Sequence, residues 1–90
     1  MSLNKLIKQC AENDRKAQKE IYQLFAGKLF SICPKYSKNR QEAQDNFQDG
    51  FVTIFKKMDQ YKFKGSFEGW LKRIMLNTVL LKYRQKAVLN

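Results

Sequence analysis

The apolar residues of this chain recur every three or four positions almost without a break, and that spacing restricts it to helices packed against one another. Leu3, Leu6, Ile7, Cys10 and Ala11 fall at i, i+3, i+4, i+7 and i+8 and predict a short first helix. Asn13-Asp14 interrupts the pattern, and the Asp14 carboxylate can cap the helix that follows. The second stripe is Ile21, Leu24, Phe25, Leu29, Ile32 and Tyr36, with Pro34 near its end. Proline has no N–H, so the Phe30 carbonyl loses its helical partner and a kink or early end is expected there. Asn39 with Glu42 three residues on is a capping-box spacing and opens a third helix. Its stripe is Ala43, Phe47, Phe51, Ile54, Phe55 and Met58. Gly50 lies inside it, at a cost of about 1 kcal/mol relative to Ala. After a linker from Asp59 to Gly65, Ser66 can cap a fourth helix from Phe67 to Ala87, with a core face of Phe67, Trp70, Leu71, Ile74, Thr78 and Leu81. Leu76, Val79 and Tyr83 then point away from the core, which is more apolar surface than a solvated helix needs. The predicted fold is all-α: one compact four-helix bundle-like domain over residues 1–90, with a short first helix and three longer ones. One proline and four glycines agree with this, because an all-β chain needs many tight turns.

Whole classes of chemistry are excluded by what the chain lacks. With no histidine, imidazole is unavailable as general base or metal ligand. Cys10 and Cys33 form no CxxC pair, so neither a zinc site nor another metal is expected; they read as reduced, buried thiols of a cytoplasmic protein. No run approaches the roughly 18 apolar residues of a membrane span, and no signal-peptide core opens the chain. The expectation is a binding module, not an enzyme, that carries no cofactor.

The formal net charge is +10, which favours an anionic partner. More than half of that excess lies beyond residue 61, where Lys62, Lys64, Lys72, Arg73, Lys82, Arg84 and Lys86 stand against Glu68 alone. A solvated helix face usually mixes both signs, so the asymmetry itself asks for a partner.

Three constellations can carry function. On the third helix Asp45, Asp49, Val52 and Lys56 share a line at i, i+4, i+7 and i+11 opposite the Phe stripe, with Gln48 beside it. It is either a solvated face or a docking surface whose acidic and amide groups meet Arg and Lys of a partner. Acid–base catalysis by the two carboxylates is disfavoured, since nothing in their surroundings would drive their pKa values apart. In the linker Tyr61-Lys62-Phe63-Lys64-Gly65-Ser66, aromatic and basic residues alternate. Rings that stack on unpaired bases beside ammonium groups that meet phosphates suit single-stranded nucleic acid; equally, the rings can plug the end of the bundle. On the last helix Arg73, Asn77, Leu80 and Arg84 follow at i, i+4, i+7 and i+11, broadened by Lys72, Lys82, Tyr83 and Lys86, as on a DNA-contacting face.

Taken in order, these pieces resemble conserved region 2 of a bacterial RNA polymerase sigma factor of the extracytoplasmic-function type. The residues that carry the resemblance are Asp14 with Ala17, the run Glu42-Ala43-Gln44-Asp45-Asn46-Phe47-Gln48-Asp49-Gly50-Phe51, and the run Phe67-Glu68-Gly69-Trp70-Leu71-Lys72-Arg73-Ile74-Met75-Leu76-Asn77-Thr78. The more specific block is Ser66-Phe67-Glu68-Gly69-Trp70-Leu71 followed by Ile74 and Asn77-Thr78, and the match extends from about residue 3 to residue 86. The resemblance implies that Asp45, Gln48 and Asp49 dock on the clamp helices of the polymerase β′ subunit. It implies that Tyr61, Lys62, Phe63, Lys64, Gly65 and Ser66 capture a base flipped from the non-template strand of the −10 promoter element, with Phe67 at the border. Lys72, Arg73, Asn77 and Arg84 would then hold duplex and strand backbone, while Trp70 supports the linker from the core. An anti-sigma factor is a further candidate partner. Gln44 stands where the family commonly has an acidic residue, and Asn46 where it has an apolar one. The helical domain that reads the −35 element in such factors is absent from this chain, so an excised domain is expected.

Two alternatives come from other classes. A helix-turn-helix regulator would also be small, basic and helical, but needs a short second helix and a tight turn. A helical protein-binding adaptor would leave the basic segment unexplained.

Overall fold

The computed structural model describes residues 2–89, with side chains through Lys86, and contains four α-helices and no strand among those residues. Met1 and Asn90 of the expected domain lie outside the described residues. Helix α1 is Leu3–Ala11, α2 is Arg15–Phe30, α3 is Arg40–Lys57 and α4 is Phe67–Leu89. Single 3₁₀ turns at Pro34–Tyr36 and Met58–Gln60 follow α2 and α3.

The helix starts are set by side chains. The Asp14 carboxylate accepts from the N–H groups of Lys16 (2.9 Å) and Ala17 (3.2 Å). Asn39 accepts from the Glu42 N–H at 2.8 Å, and Ser66 from the Gly69 N–H at 3.0 Å. Each bond satisfies amides that the first turn of a helix leaves without partners. Asn13, between α1 and α2, takes a left-handed conformation (φ 67°). Pro34 ends α2 early: the Phe30 carbonyl, denied the Pro34 N–H, accepts from the Cys33 N–H at 2.9 Å, and the chain tightens into the 3₁₀ turn.

The core joins Leu6, Ile7 and Cys10 of α1, Ala17, Ile21 and Leu29 of α2, Cys33 in the turn after α2, Ala43, Phe47, Phe51 and Ile54 of α3, and Met58 in the turn after α3. From α4 it takes Phe67, Leu71, Ile74, Met75 and Val79. Rings thread it: Phe47 meets Phe51 at 5.2 Å and Phe30 at 5.4 Å, and Tyr22 meets Phe51 at 4.9 Å.

Three expected apolar placements differ. Val79 is fully buried, whereas Leu81 is 58% exposed. The line of α4 that meets α3 is Leu71, Met75 and Val79, because Gly50 leaves space for Met75 against α3 and fixes the rotation of α4. Leu24 is also exposed; the buried arc of α2 runs through Ala17, Ile21 and Leu29, and Leu24 falls on its outer edge.

Candidate nucleic-acid interface

The linker closes over a floor of aromatic rings. Tyr61 is buried, and its ring lies 5.1 Å from each of Phe63, Phe67 and Trp70. Phe67 and Trp70 stack at 6.0 Å with an interplanar angle of 21°, and Phe25 of α2 meets Phe67 edge-on at 5.5 Å. The Tyr61 hydroxyl donates to the Gly65 carbonyl at 3.0 Å, which closes the loop on itself. Gly65 has φ 75°, and Phe63 also sits in the left-handed region at φ 59°, where a bulky side chain is strained by about 1–3 kcal/mol. That conformation leaves the Phe63 ring 41% exposed, with the Lys8 ammonium 5.8 Å from its centroid. Lys62, Lys64, Gly65 and Ser66 are exposed around it. Of the two aromatic residues in the linker, Phe63 is therefore the accessible one, while Tyr61 works from below.

The first turns of α4 continue this surface. Arg73, Asn77 and Arg84 are exposed on its outer face, and Arg73 and Arg84 pair with no carboxylate among the described residues. Lys72 is more constrained: its ammonium lies 3.1 Å from Glu68, which also accepts from Lys28 of α2 at 2.8 Å. Lys28 and then Lys72 hold the Glu68 carboxyl below the usual range.

A cavity of about 480 Å³ opens between the end of α2 and the start of α4. Ser31, Ile32, Lys35 and Tyr36 line one side, and Gly69, Lys72, Arg73 and Leu76 the other. The first four were not singled out as functional from the sequence, although Pro34, which opens the gap, was visible there with Lys35 and Tyr36 beside it.

The acidic line of α3 lies on another face. Asp45, Gln48, Asp49 and Val52 are all exposed. Asp45 accepts from Gln41 Nε2 at 3.1 Å, and Gln48 Nε2 donates to the Tyr22 hydroxyl at 3.3 Å. Asp49 is ion-paired with Lys82 of α4. Asp45 and Gln48 also border a concavity of about 470 Å³ with Gln41 and Gln44. One turn from this line, Glu42 pairs with Lys86 at 2.6 Å, which holds its carboxyl below the usual range. Sequence spacing picked out the acidic line; the lysines of α4 that reach Asp49 and the neighbouring Glu42 required the packing angle of α3 on α4.

Burial pushes the Cys10 and Cys33 thiols up to about 11, with Asp14 adding to the shift at Cys10. No group of His, Cys, Asp or Glu among the described residues could hold a metal ion. No described helix is long and apolar enough to cross a membrane. Residues 58–66 separate α3 from α4, a longer path than the tight turn of a helix-turn-helix motif.

Comparison with known proteins agrees with this arrangement. The chain is 29% identical over 86 residues to the ECF RNA polymerase sigma factor SigW of Bacillus subtilis, covering 96% of this chain and 46% of that protein. It is 31% identical over 68 residues to the ECF RNA polymerase sigma factor SigE of Mycolicibacterium smegmatis, covering 76% of this chain and 26% of the relative. The chain thus spans less than half the length of these curated relatives. An engineered region 2 of sigmaE, solved by NMR in complex with GTAAAA, shares the fold with a TM-score of 0.82 at 22% identity, over 97% of this chain and 95% of that one. Residues 21–88 match the family model of Sigma-70 region 2. From its capped helices to its ring-floored linker, this chain belongs to the Sigma-70 region 2 family.

Proposed function

We propose that this domain belongs to a cytoplasmic transcription initiation factor of the extracytoplasmic-function type, in which it recognises and melts the −10 promoter element. In this reading Asp45, Gln48 and Asp49 dock on the β′ clamp helices of RNA polymerase. The linker from Tyr61 to Ser66 captures a base flipped from the non-template strand, and Lys72, Arg73, Asn77 and Arg84 hold the backbone. The domain performs no chemistry; the polymerase supplies it.

The observation that carries the reading is the build of the linker. Phe63 is held exposed in a left-handed conformation over a floor of buried Tyr61 and Phe67 and half-buried Trp70, between Lys62 and Lys64. Extruding a base from the duplex costs a few kcal/mol, and a stacking surface beside cations offsets that cost. Lysines and arginines along the linker and α4 supply a salt-dependent hold on the phosphates. Docking elsewhere on the domain raises the effective concentration of promoter, so the strand contact itself needs little affinity.

Two measurements test this. In fluorescence anisotropy, non-template −10 strands are expected to bind more tightly than the matching duplexes, with affinity falling steeply with salt. Equal, sequence-blind binding of the two forms would overturn base capture. Asp49→Lys is expected to weaken binding of a β′ clamp-helix fragment about tenfold or more, since like charges brought together across an interface cost several kcal/mol. Unchanged affinity would remove α3 as the docking face.

A further inference from the structure

Glu68 is the lone carboxylate beyond residue 61, set among seven lysines and arginines. An anion in that position opposes the hold of its neighbours on a polyanion, so the phosphate contacts do not account for it. Its geometry does. One carboxylate oxygen takes the Lys28 ammonium at 2.8 Å and the other takes the Lys72 ammonium at 3.1 Å. Lys28 stands in the last turn of α2 and Glu68 in the first turn of α4, the ends at which the peptide dipoles favour a cation and an anion respectively. Three residues before Lys28, on the same side of α2, the Phe25 ring meets Phe67 edge-on at 5.5 Å. Helix α2 therefore grips two consecutive residues at the start of α4, Phe67 through a ring and Glu68 through a charge. Phe67 is part of the floor under the linker, 5.1 Å from Tyr61 and 6.0 Å from Trp70. The residue before it, Ser66, ends the linker and caps Gly69.

We propose that Lys28 and Glu68 are positioning residues for base capture: their ion pair holds the first turn of α4 against α2, so that the aromatic floor and the linker are in place before a strand arrives. The proposal rests on the base-capture reading above and deepens it. A linker ordered in advance loses less conformational freedom on binding, which raises affinity without a new contact to the strand. Both side chains are partly exposed, so the gain is limited to what an exposed pair contributes, about two- to fivefold in affinity.

The test compares two probes of equal charge in fluorescence anisotropy at one salt concentration: a randomised single-stranded DNA hexamer pool and a hexamer made entirely of tetrahydrofuran abasic sites. The unaltered domain is expected to bind the pool more tightly, and the ratio of the two affinities measures capture of a base. Plain charge acts on both probes alike and leaves that ratio unchanged. Glu68→Gln is expected to lower the ratio about two- to fivefold, although it removes an anion from a cationic surface. Lys28→Met is expected to lower it by the same factor, Lys28→Arg to preserve it, and the double variant Lys28→Met with Glu68→Gln to lower it no further than either alone. An unchanged ratio in Glu68→Gln and Lys28→Met would overturn the positioning role and leave base capture standing. A loss in Lys28→Arg equal to that in Lys28→Met, or additive losses in the double variant, would also overturn it, because the two side chains would then not act as a pair. Equal binding of both probes by the unaltered domain would overturn base capture and this proposal with it.

Discussion

Asn46 is the buried polar side chain of the core, 4% exposed, at a position that helical spacing would give to an apolar residue. Its Nδ2 donates to the Ser37 hydroxyl at 2.9 Å, which donates in turn to the Cys33 carbonyl at 2.6 Å. This relay fastens α3 to the turn that Pro34 creates, and it satisfies polar groups that water cannot reach. Asn46→Ala is expected to lower unfolding stability by about 1–3 kcal/mol, the range for stranding a buried partner, as measured by urea denaturation. An unchanged midpoint would show that water replaces the amide. Asn46 was visible in the sequence as a departure from the family's usual apolar residue, but its purpose was not. Ser37 lies nine residues away and comes into reach only because α2 stops at Phe30.

At the scale of the helices, Gly50 sets how α4 lies on α3. A Cβ there would run into the Met75 sulfur and lie 2.7 Å from its methyl carbon. Alanine is the better helix former by about 1 kcal/mol, whereas overpacking a core costs about 1–3 kcal/mol. Met75 is fully buried, so its thioether can yield only by repacking within the core. Gly50→Ala is therefore expected to destabilise the domain, and adding Met75→Val is expected to recover part of the loss in thermal melts. A gain in melting temperature from Gly50→Ala alone would show that propensity wins. The helix starts were legible because each is written in one side chain: Asp14, Asn39 and Ser66 all cap as their spacing predicts. The rotation of α4 was not. Its sequence is apolar on several sides, so Leu81 and Val79 were interchangeable by periodicity, and the glycine that separates them lies on a different helix. The linker was legible as alternating rings and cations, but which ring faces outward depended on the backbone twist at Phe63.

Across the whole molecule, three of four ion pairs among the described residues join different helices, and the fourth, Lys72 with Glu68, lies within α4. Lys28 and Lys72 converge on Glu68, Lys82 reaches Asp49, and Lys86 reaches Glu42. Glu42 and Glu68 both titrate below the ordinary 4.5 in the folded protein because of their lysine partners. A depressed carboxyl contributes stability above its unfolded value, and that contribution is lost as pH falls through the folded one. Melting temperature is therefore expected to hold between pH 7 and about 5 and to fall below about 4.5, with Glu68→Gln flattening that acid limb. An unaltered acid limb in the variant would assign it to other carboxyls. The pairs also bring α3 and α4, the two helices with different proposed partners, into direct electrostatic contact. A partner's cation at Asp49 would share that carboxylate with Lys82, as Lys28 and Lys72 share Glu68. Sharing weakens each pair, so a cation brought to Asp49 loosens Lys82 on the helix that carries Arg73, Asn77 and Arg84. By linkage an anion drawn to Lys82 exposes Asp49 to the same degree. If both faces are occupied as proposed, this one exposed pair couples them by no more than the roughly 0–1 kcal/mol such a pair is worth, with no change of fold.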